Sequence, residues 1–420
     1  MTMSKRLLQI SFRNVFRNKR RTLLTLLVLT LGSTGLILVG GFFGGIHDSF
    51  REMFIHSQSG HLQIGQKGYY DNGVAAPFKY LMKDAFKVET LIAQNPHVLY
   101  AVPQIKFGGM ANTDKTNVAV LAIGIDPVRQ RQMSQHKYSL KNGKTGNIVA
   151  GQDLDPNDAT GVVVGKGLLE ALGLKIGDSF SFITTRQGGI MDGAEYHIRG
   201  VFQTVLKDYD DRGMRMNLAT AQQLLNIPDQ VHSLLLILDK TENTDLVQKQ
   251  LTASFQQAGL PLESVTWLTQ GEFYRHGKSV LDKIYATVLV IIAVVFFFSI
   301  ANTINMAVFE RIREFGTMMA TGNSRPVIFS VIFFEAAILG VLGALLGLGL
   351  GAAAAKAISS FGIVLPPLPG SSSSYIALIF LEPTSLMKVF AIGFFSTTLA
   401  AVIPAYRACH FEIVHALGYV

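Results

Sequence analysis

The sequence predicts a membrane protein with four transmembrane α-helices and one large extracytoplasmic α/β domain between helices 1 and 2. Three observations carry this. Four long apolar runs punctuate the chain, each long enough to cross about 30 Å of hydrocarbon. Between the first and second runs the composition changes to that of a water-soluble α/β domain. The basic cluster ahead of the first run, Arg311, Arg313 and Arg325 between the second and third, and Arg407 after the fourth fall on one side of the predicted membrane, as the positive-inside rule favours. The 420 residues are 49% hydrophobic and only 16% charged, too apolar for a soluble protein of this size and too polar for an all-membrane chain.

Residues 1–21 form a cytoplasmic segment in which 4–21 alternate basic and apolar positions at helical spacing, with Leu7, Leu8, Phe12, Val15 and Phe16 set against Arg6, Arg13 and Arg17. This suits an amphipathic helix on the inner leaflet, its cations near anionic lipid. The net charge of +8 therefore reads as a topology signal rather than a nucleic-acid surface. Residues 22–46 form the first span, too long for a signal-peptide core and without a small-residue cleavage site after it. Residues 47–283 form the extracytoplasmic domain. Strands are expected at His61–Ile64, Val118–Ile125, Ser179–Thr184, Tyr196–Phe202 and Ser233–Leu238, and helices at Lys166–Leu172, Thr220–Leu225 and Asp245–Ala258. These suggest a mixed sheet covered by helices, with two lobes, whereas 65–115 and 126–160 read as long excursions.

Span two covers 284–309, span three 326–356 and span four 387–407, with an outer loop at 357–386 and a cytoplasmic tail at 408–420. Both termini are then cytoplasmic, and the outer 359–383 segment holds no Lys or Arg. The lone cysteine, Cys409, excludes an intramolecular disulfide and falls in the reducing compartment. Small residues recur every fourth position at Gly40/Gly44, Gly41/Gly45 and Gly343/Gly347/Gly351, ridges that let helix backbones approach closely, whether to slide or to pack.

The loop at 310–325, ERIREFGTMMATGNSR, is the most informative stretch. Glu310, Arg311, Arg313 and Glu314 are ionised, and Thr321-Gly322-Asn323 is a helix stop. A short helix against the cytoplasmic face is expected. Glu335, the only charge between Arg325 and Lys356, lies about ten residues, or roughly 15 Å, beyond Arg325. An intramembrane carboxylate is costly unless paired, so it is expected to hydrogen-bond to a neighbouring span or to the loop, a bond that an amide would keep.

Other chemistries are set aside. Gly161–Gly167 has the wrong spacing for a phosphate-binding loop, so nucleotide hydrolysis is expected in another chain. Asp153, Asp155 and Asp158 lack the glycine of a calcium loop, and His47, His56 and His61 lack zinc-ligand spacing. No constellation suggests a hydrolase.

E-R-x-R-E-F-G, then A-x-G and S-R, resembles the loop between the second and third spans of FtsX-like ABC transporter permeases. Asn302–Met306, Glu335–Gly340 with Gly343 and Gly347, and Pro404-Ala405-Tyr406-Arg407-Ala408 resemble the family's spans two, three and four. Gly165–Leu168, Leu172–Asp178 and Asn217–Leu225 resemble the periplasmic core domain of MacB-like permeases. Ser264–Trp267 looks nearest to the lipoprotein-releasing (LolC/LolE-type) permeases. Met319 stands where the family commonly has a basic residue, and Glu412–Leu417 lacks its usual proline.

The resemblance implies a permease subunit in the inner membrane, not an enzyme, that transmits ATP-driven motion to its outer domain. Glu310, Arg311, Arg313, Glu314, Phe315, Gly316, Gly322 and Arg325 would form the coupling surface for an ATPase subunit present in two copies. ATP and Mg would bind there, and this chain would bind no cofactor. A second permease copy or paralogue completes the assembly, in contact with membrane lipids and with no nucleic acid. Amphiphilic cargo, foremost a lipoprotein, would enter near Phe42, Phe43, Phe50 and Phe54. Two other classes fit the same resemblance: efflux of drugs, peptides or toxins through an adaptor and outer-membrane channel, and regulation of a cell-wall hydrolase.

Overall fold

The computed structural model describes residues 3–17, 19–73, 76–134, 148–204, 206–366 and 375–410. Pro367, Pro369 and Ser371–Ser374 of the outer loop, and the Glu412–Leu417 tail, lie outside the described residues. The chain divides into a membrane unit, Met1–His47, Val280–Ile363 and Ala377–Val420, and a second unit, Asp48–Ser279 with Val364–Ile376.

Among the described residues, four helices are long and apolar enough to span a membrane: Lys19–Phe54, Glu272–Phe309, Arg325–Phe361 and Pro383–Cys409. Each runs past the span expected from composition, because a helix keeps its own backbone bonds beyond the hydrocarbon. Within the membrane unit, the first and third helices meet along a glycine ridge. Gly343, Gly347 and Gly351 face Leu29, Ser33 and Ile37, and a Cβ on any of the three glycines would collide with its partner. Thr34 Oγ1 also donates to Gly347 O at 3.3 Å. The ridge predicted in span three is therefore a close-packed seam. Gly41 and Gly45 make a different approach, to the backbone of Leu378 and Phe380 just ahead of the fourth helix, with Phe380 N donating to Gly41 O at 2.9 Å.

The amphipathic stretch forms a helix over Met3–Arg17. It docks on the third helix through buried Ser11 and Val15, and Ser11 Oγ donates to Val331 O at 3.1 Å. Leu8, Ile10, Phe12 and Phe16 stay exposed, as an interfacial helix requires.

The second unit is built on ten strands: β1 Leu62–Gln66, β2 Val98–Asn112, β3 Asn117–Ile125, β4 Ile148–Gly151, β5 Gly161–Gly165, β6 Ser179–Thr185, β7 Met191–Phe202, β8 Gly213–Asn217, β9 Ser233–Leu238 and β10 Leu262–Thr266. They form one sheet in the order β10-β1-β9-β2-β3-β8-β5-β7-β4, with β6 paired to β2 and β7. The two lobes expected from the sequence share this sheet. Pairing is antiparallel except for β3–β8 and β5–β7. The largest difference from the sequence reading is β2, where 65–115 was read as an excursion. Gly108-Gly109 weakens the strand signal, and Pro103 argues against a central strand. Pro103 is tolerated because β2 pairs there only with β9; pairing to β3 begins at Gln104.

Alternation puts Leu62, Ile64, Ile105, Phe107, Met214, Met216, Leu234 and Leu236 on one face, beneath helices Ala85–Ile92, Lys166–Leu172, Leu218–Leu225 and Thr244–Gln257. The opposite face carries two smaller apolar clusters. One holds Val102, Met133, Leu235 and Ile237; the other holds Ile123, Ile125, Val163, Phe202 and Tyr209. Gln63, Gln104, Lys106 and Arg215 share that face.

Candidate functional site

The loop between the second and third membrane helices carries a helix over Ile312–Ala320. Its stop is a complete Schellman motif. Asn323 N donates to Met318 O at 3.0 Å, Gly322 N donates to Met319 O at 3.1 Å, and Gly322 takes φ +94, as a helix-ending glycine does. Ile312, Phe315 and Gly316 are buried, and Phe315 packs with Ile304, Ile328, Ala405 and Ala408. Glu310, Arg313, Glu314, Gly322 and Arg325 are exposed.

Arg311 does not face water. It is 7% exposed, and its Nη1 donates to both oxygens of Glu335, at 3.0 and 2.7 Å. Its Nε donates to Glu314 Oε2 at 2.7 Å, and its guanidinium lies 5.0 Å from the Phe315 ring centroid. Arg17 Nη2 donates to Glu314 Oε1 at 2.8 Å, and Arg21 Nη2 stands 3.9 Å from Glu335 Oε2. Five charges thus alternate in one chain, Arg17–Glu314–Arg311–Glu335–Arg21, from the surface into the bundle. Burial opposes ionisation of Glu314, but the hydrogen bond and charge of Arg311, with Arg17 and Arg21, outweigh it and hold its carboxyl below the usual range.

The structure therefore brings together Arg311, Glu314 and Glu335 of the residues singled out in the sequence, and adds Arg17 and Arg21. The sequence assigns both to the topology signal ahead of the first span, and Arg17 also to the lipid-facing cations of the amphipathic helix. The signal for them was the carboxylate itself, since a buried Glu335 needs cationic partners and the nearest basic cluster flanks the first span.

The profile of the MacB-like periplasmic core domain matches residues 22–254, more than half of the chain, and that of the FtsX-like permease C-terminal region matches 286–413. This chain is an ABC transporter permease of the FtsX/MacB family. The permease is 22% identical over 331 residues to a lipoprotein-releasing system transmembrane protein LolC of Neisseria meningitidis, covering 78% of this chain and 75% of the relative. It is 19% identical to an uncharacterised ABC transporter permease of Methanocaldococcus jannaschii over 84% of both chains. A LolE protein of Haemophilus influenzae is 23% identical over 65% of this chain and 64% of its own length. The permease is thus a multi-pass transport component rather than a catalytic enzyme, of a family that works with ATPase subunits.

The four phenylalanines do not share one environment. In the permease's membrane unit, Phe42 and Phe43 are half-buried, and Phe43 lies 5.1 Å from Tyr285. In the second unit, Phe50 and Phe54 are 2% and 4% exposed; Phe50 stacks on Tyr274 at 5.0 Å, so both serve the interior.

His56 and His61, apart from zinc-ligand spacing in sequence, come together with Glu52 at the π-turn Ile55–Ser59. Their hydrogen bonds fit a structural latch better than a metal centre. His61 Nδ1 accepts from Leu238 N at 3.2 Å, so its proton sits on Nε2, facing Thr241 Oγ1 at 3.1 Å, and Thr241 donates to Glu52 Oε1 at 2.8 Å. A metal would need the Nε2 lone pair that this tautomer lacks.

Proposed function

We propose that this permease extracts or exports amphiphilic cargo, most directly by releasing lipoproteins from the inner membrane. It would work as a dimer, with itself or a paralogue, driven by two copies of a separate ATPase that holds ATP and Mg. The termini and the 310–325 loop would be cytoplasmic and the large domain periplasmic. One observation carries the mechanism: the buried Arg311–Glu335 pair joins the loop helix to the third membrane helix. A push on the loop helix is then delivered to the third helix through charge-assisted bonds rather than dissipated in a flexible turn. The names of the LolC and LolE relatives favour lipoprotein cargo over drug efflux or hydrolase control.

The docking test uses the outward face of the loop helix. Glu314 already pairs internally, so reversal is cleanest at exposed Glu310 and Arg313. Glu310→Arg with Arg313→Glu should leave the permease folded but lose the ATPase on co-purification, since like charges now face the docking groove. Retained ATPase with normal stimulation would move the coupling surface elsewhere. Cargo is tested separately, by adding ATP to proteoliposomes that hold the complex and an acylated lipoprotein. Lipoprotein appearing in the supernatant is the expected result; ATP turnover without release would reject this cargo while leaving the docking reading intact.

A further inference from the structure

The second unit holds a cleft on the sheet face away from its main helical layer. Its inner part has a volume of about 190 Å³, room for about six waters at roughly 30 Å³ each. It adjoins a second recess of about 290 Å³, and Gln63, Lys106 and Gln270 line both. Polar side chains meet there between two apolar clusters, which is costly unless something answers them.

Two cations dominate. Lys106 on β2 and Arg215 on β8 lie on the same face, each in register with Ile123 of β3 between them. Their backbones are therefore two strand spacings, or about 10 Å, apart across the cleft floor. Arg215 is 7% exposed; its Nε donates to Tyr209 OH at 3.4 Å and its guanidinium lies 4.2 Å from the Phe202 ring centroid. No carboxylate among the described residues lies within 4.0 Å of either cation. Burial pushes the Lys106 ammonium below its ordinary value, as expected of a cation without a counter-charge.

The neutral groups are equally unanswered. Gln104 and Gln130 are 4% and 7% exposed, line the same cleft, and their Oε1 atoms have no hydrogen-bond partner among the described residues. Tyr70 OH, in the adjoining recess, has none either. Buried polar groups left this way cost stability, so they are kept where a ligand completes them.

We propose that this cleft binds a small polar anion, a carboxylate or phosphate group held between Lys106 and Arg215 that also carries hydrogen-bond donors for Gln104 and Gln130. The cations set the charge of the ligand, and the unpaired amide oxygens suit donors on it. A free hydroxy- or amino-acid, a free phosphate and a zwitterionic lipid headgroup share that chemistry. Glu272, exposed and also lining the cleft, suits a ligand ammonium.

The test is calorimetric titration of the detergent-purified full-length permease with three probes: inorganic phosphate, glutamate and glycerophosphoethanolamine. At least one should bind saturably at one site per chain, and which one identifies the source. Lys106→Met and Arg215→Met should each weaken it about tenfold or more, whereas Lys115→Met, an equal charge change on the exposed β2–β3 turn, should not. Without probe, Lys106→Met should melt at the parent temperature or above, because removing a half-buried charge with no carboxylate beside it relieves the fold; a purely structural lysine would do the opposite. Saturable binding of none of the probes overturns the proposal. So does binding that both methionine variants retain, or a lowered melting temperature in Lys106→Met with binding unchanged.

Discussion

Replacing Arg311 by Met removes one end of a buried ion pair and leaves the other in place. Arg311 makes three charge-assisted bonds of 2.7 to 3.0 Å, two of them to Glu335, which is 8% exposed. Stranding a buried carboxylate typically costs about 3–5 kcal/mol. Arg21, 3.9 Å from the same carboxylate, recovers part of this, so about 3 kcal/mol is expected for Arg311→Met. Glu335→Gln should cost less, about 1–2 kcal/mol, because one oxygen still accepts from Nη1. The cost arises because the amide NH2 must now face a guanidinium. Arg311→Met with Glu335→Leu removes both charges and should return folding to within about 1 kcal/mol of the parent. Unfolding in mixed micelles gives these differences, and stimulation of the ATPase partner gives transmission. The double variant should fold well and transmit poorly. A cost below about 1 kcal/mol for Arg311→Met would refute the desolvated pair, and full stimulation by the double variant would refute its role in coupling.

Gly347→Val should destabilise the membrane unit by about 1–3 kcal/mol or block its assembly, since the new side chain meets Ser33 and the Thr30 carbonyl; an unchanged unfolding midpoint would mean the seam opens freely. Acid should weaken the second unit. Burial, with the nearby His56 charge, lowers His61 from 6.5 to about 4, and burial likewise lowers His232 from 6.5 to about 4. The unfolded chain therefore binds these protons first, and stability falls between pH 6.5 and 4, by up to about 3 kcal/mol per histidine. The fluorescence of Trp267, the only tryptophan, reports the transition, and His61→Gln or His232→Gln should flatten its pH slope. For topology, Cys409 is 3% exposed and a poor labelling site. Asn323→Cys and Val364→Cys, both exposed, should react oppositely with a membrane-impermeant thiol reagent on intact cells; labelling of both from outside would reject the four-span arrangement.

The sequence spoke most clearly where one physical demand controlled many residues. The spans were legible because hydrocarbon demands apolar side chains over a long run and tolerates a charge such as Glu335 only when it is paired, and the loop helix because its charges end at a glycine whose φ had to be positive. β3 and β9 were legible as short apolar, largely β-branched or Leu-rich runs, and the helix Lys166–Leu172 by its helical period. β2 was not, because its residues answer to two surroundings at once. Ile105 and Phe107 serve the core while Gln104 and Lys106 line a polar cleft, and Gly109 sits where Phe182 and the Ile183 carbonyl leave no room for a Cβ. β8 was hidden by its brevity and by Arg215, a charge inside a fully buried strand. In the site, Glu335 declared its need for a partner, but the identity of the partners depended on which helix ends meet. That is decided by packing over some 300 residues of separation, as between Arg17 and Glu314.

The seam between the first and third membrane helices has an arithmetic of its own. Its glycines repeat every four residues, and so do Leu29, Ser33 and Ile37 opposite them. Sliding one helix along the other by four residues, about 6 Å, brings two of the three glycines back opposite these side chains. Any intermediate displacement drives a side chain against backbone that has no slack. Were the helices to slide, the contact would act like a detent, with separate rest positions one helical turn apart and a barrier between them. A force arriving at the loop would either leave the register unchanged or advance it by a whole turn.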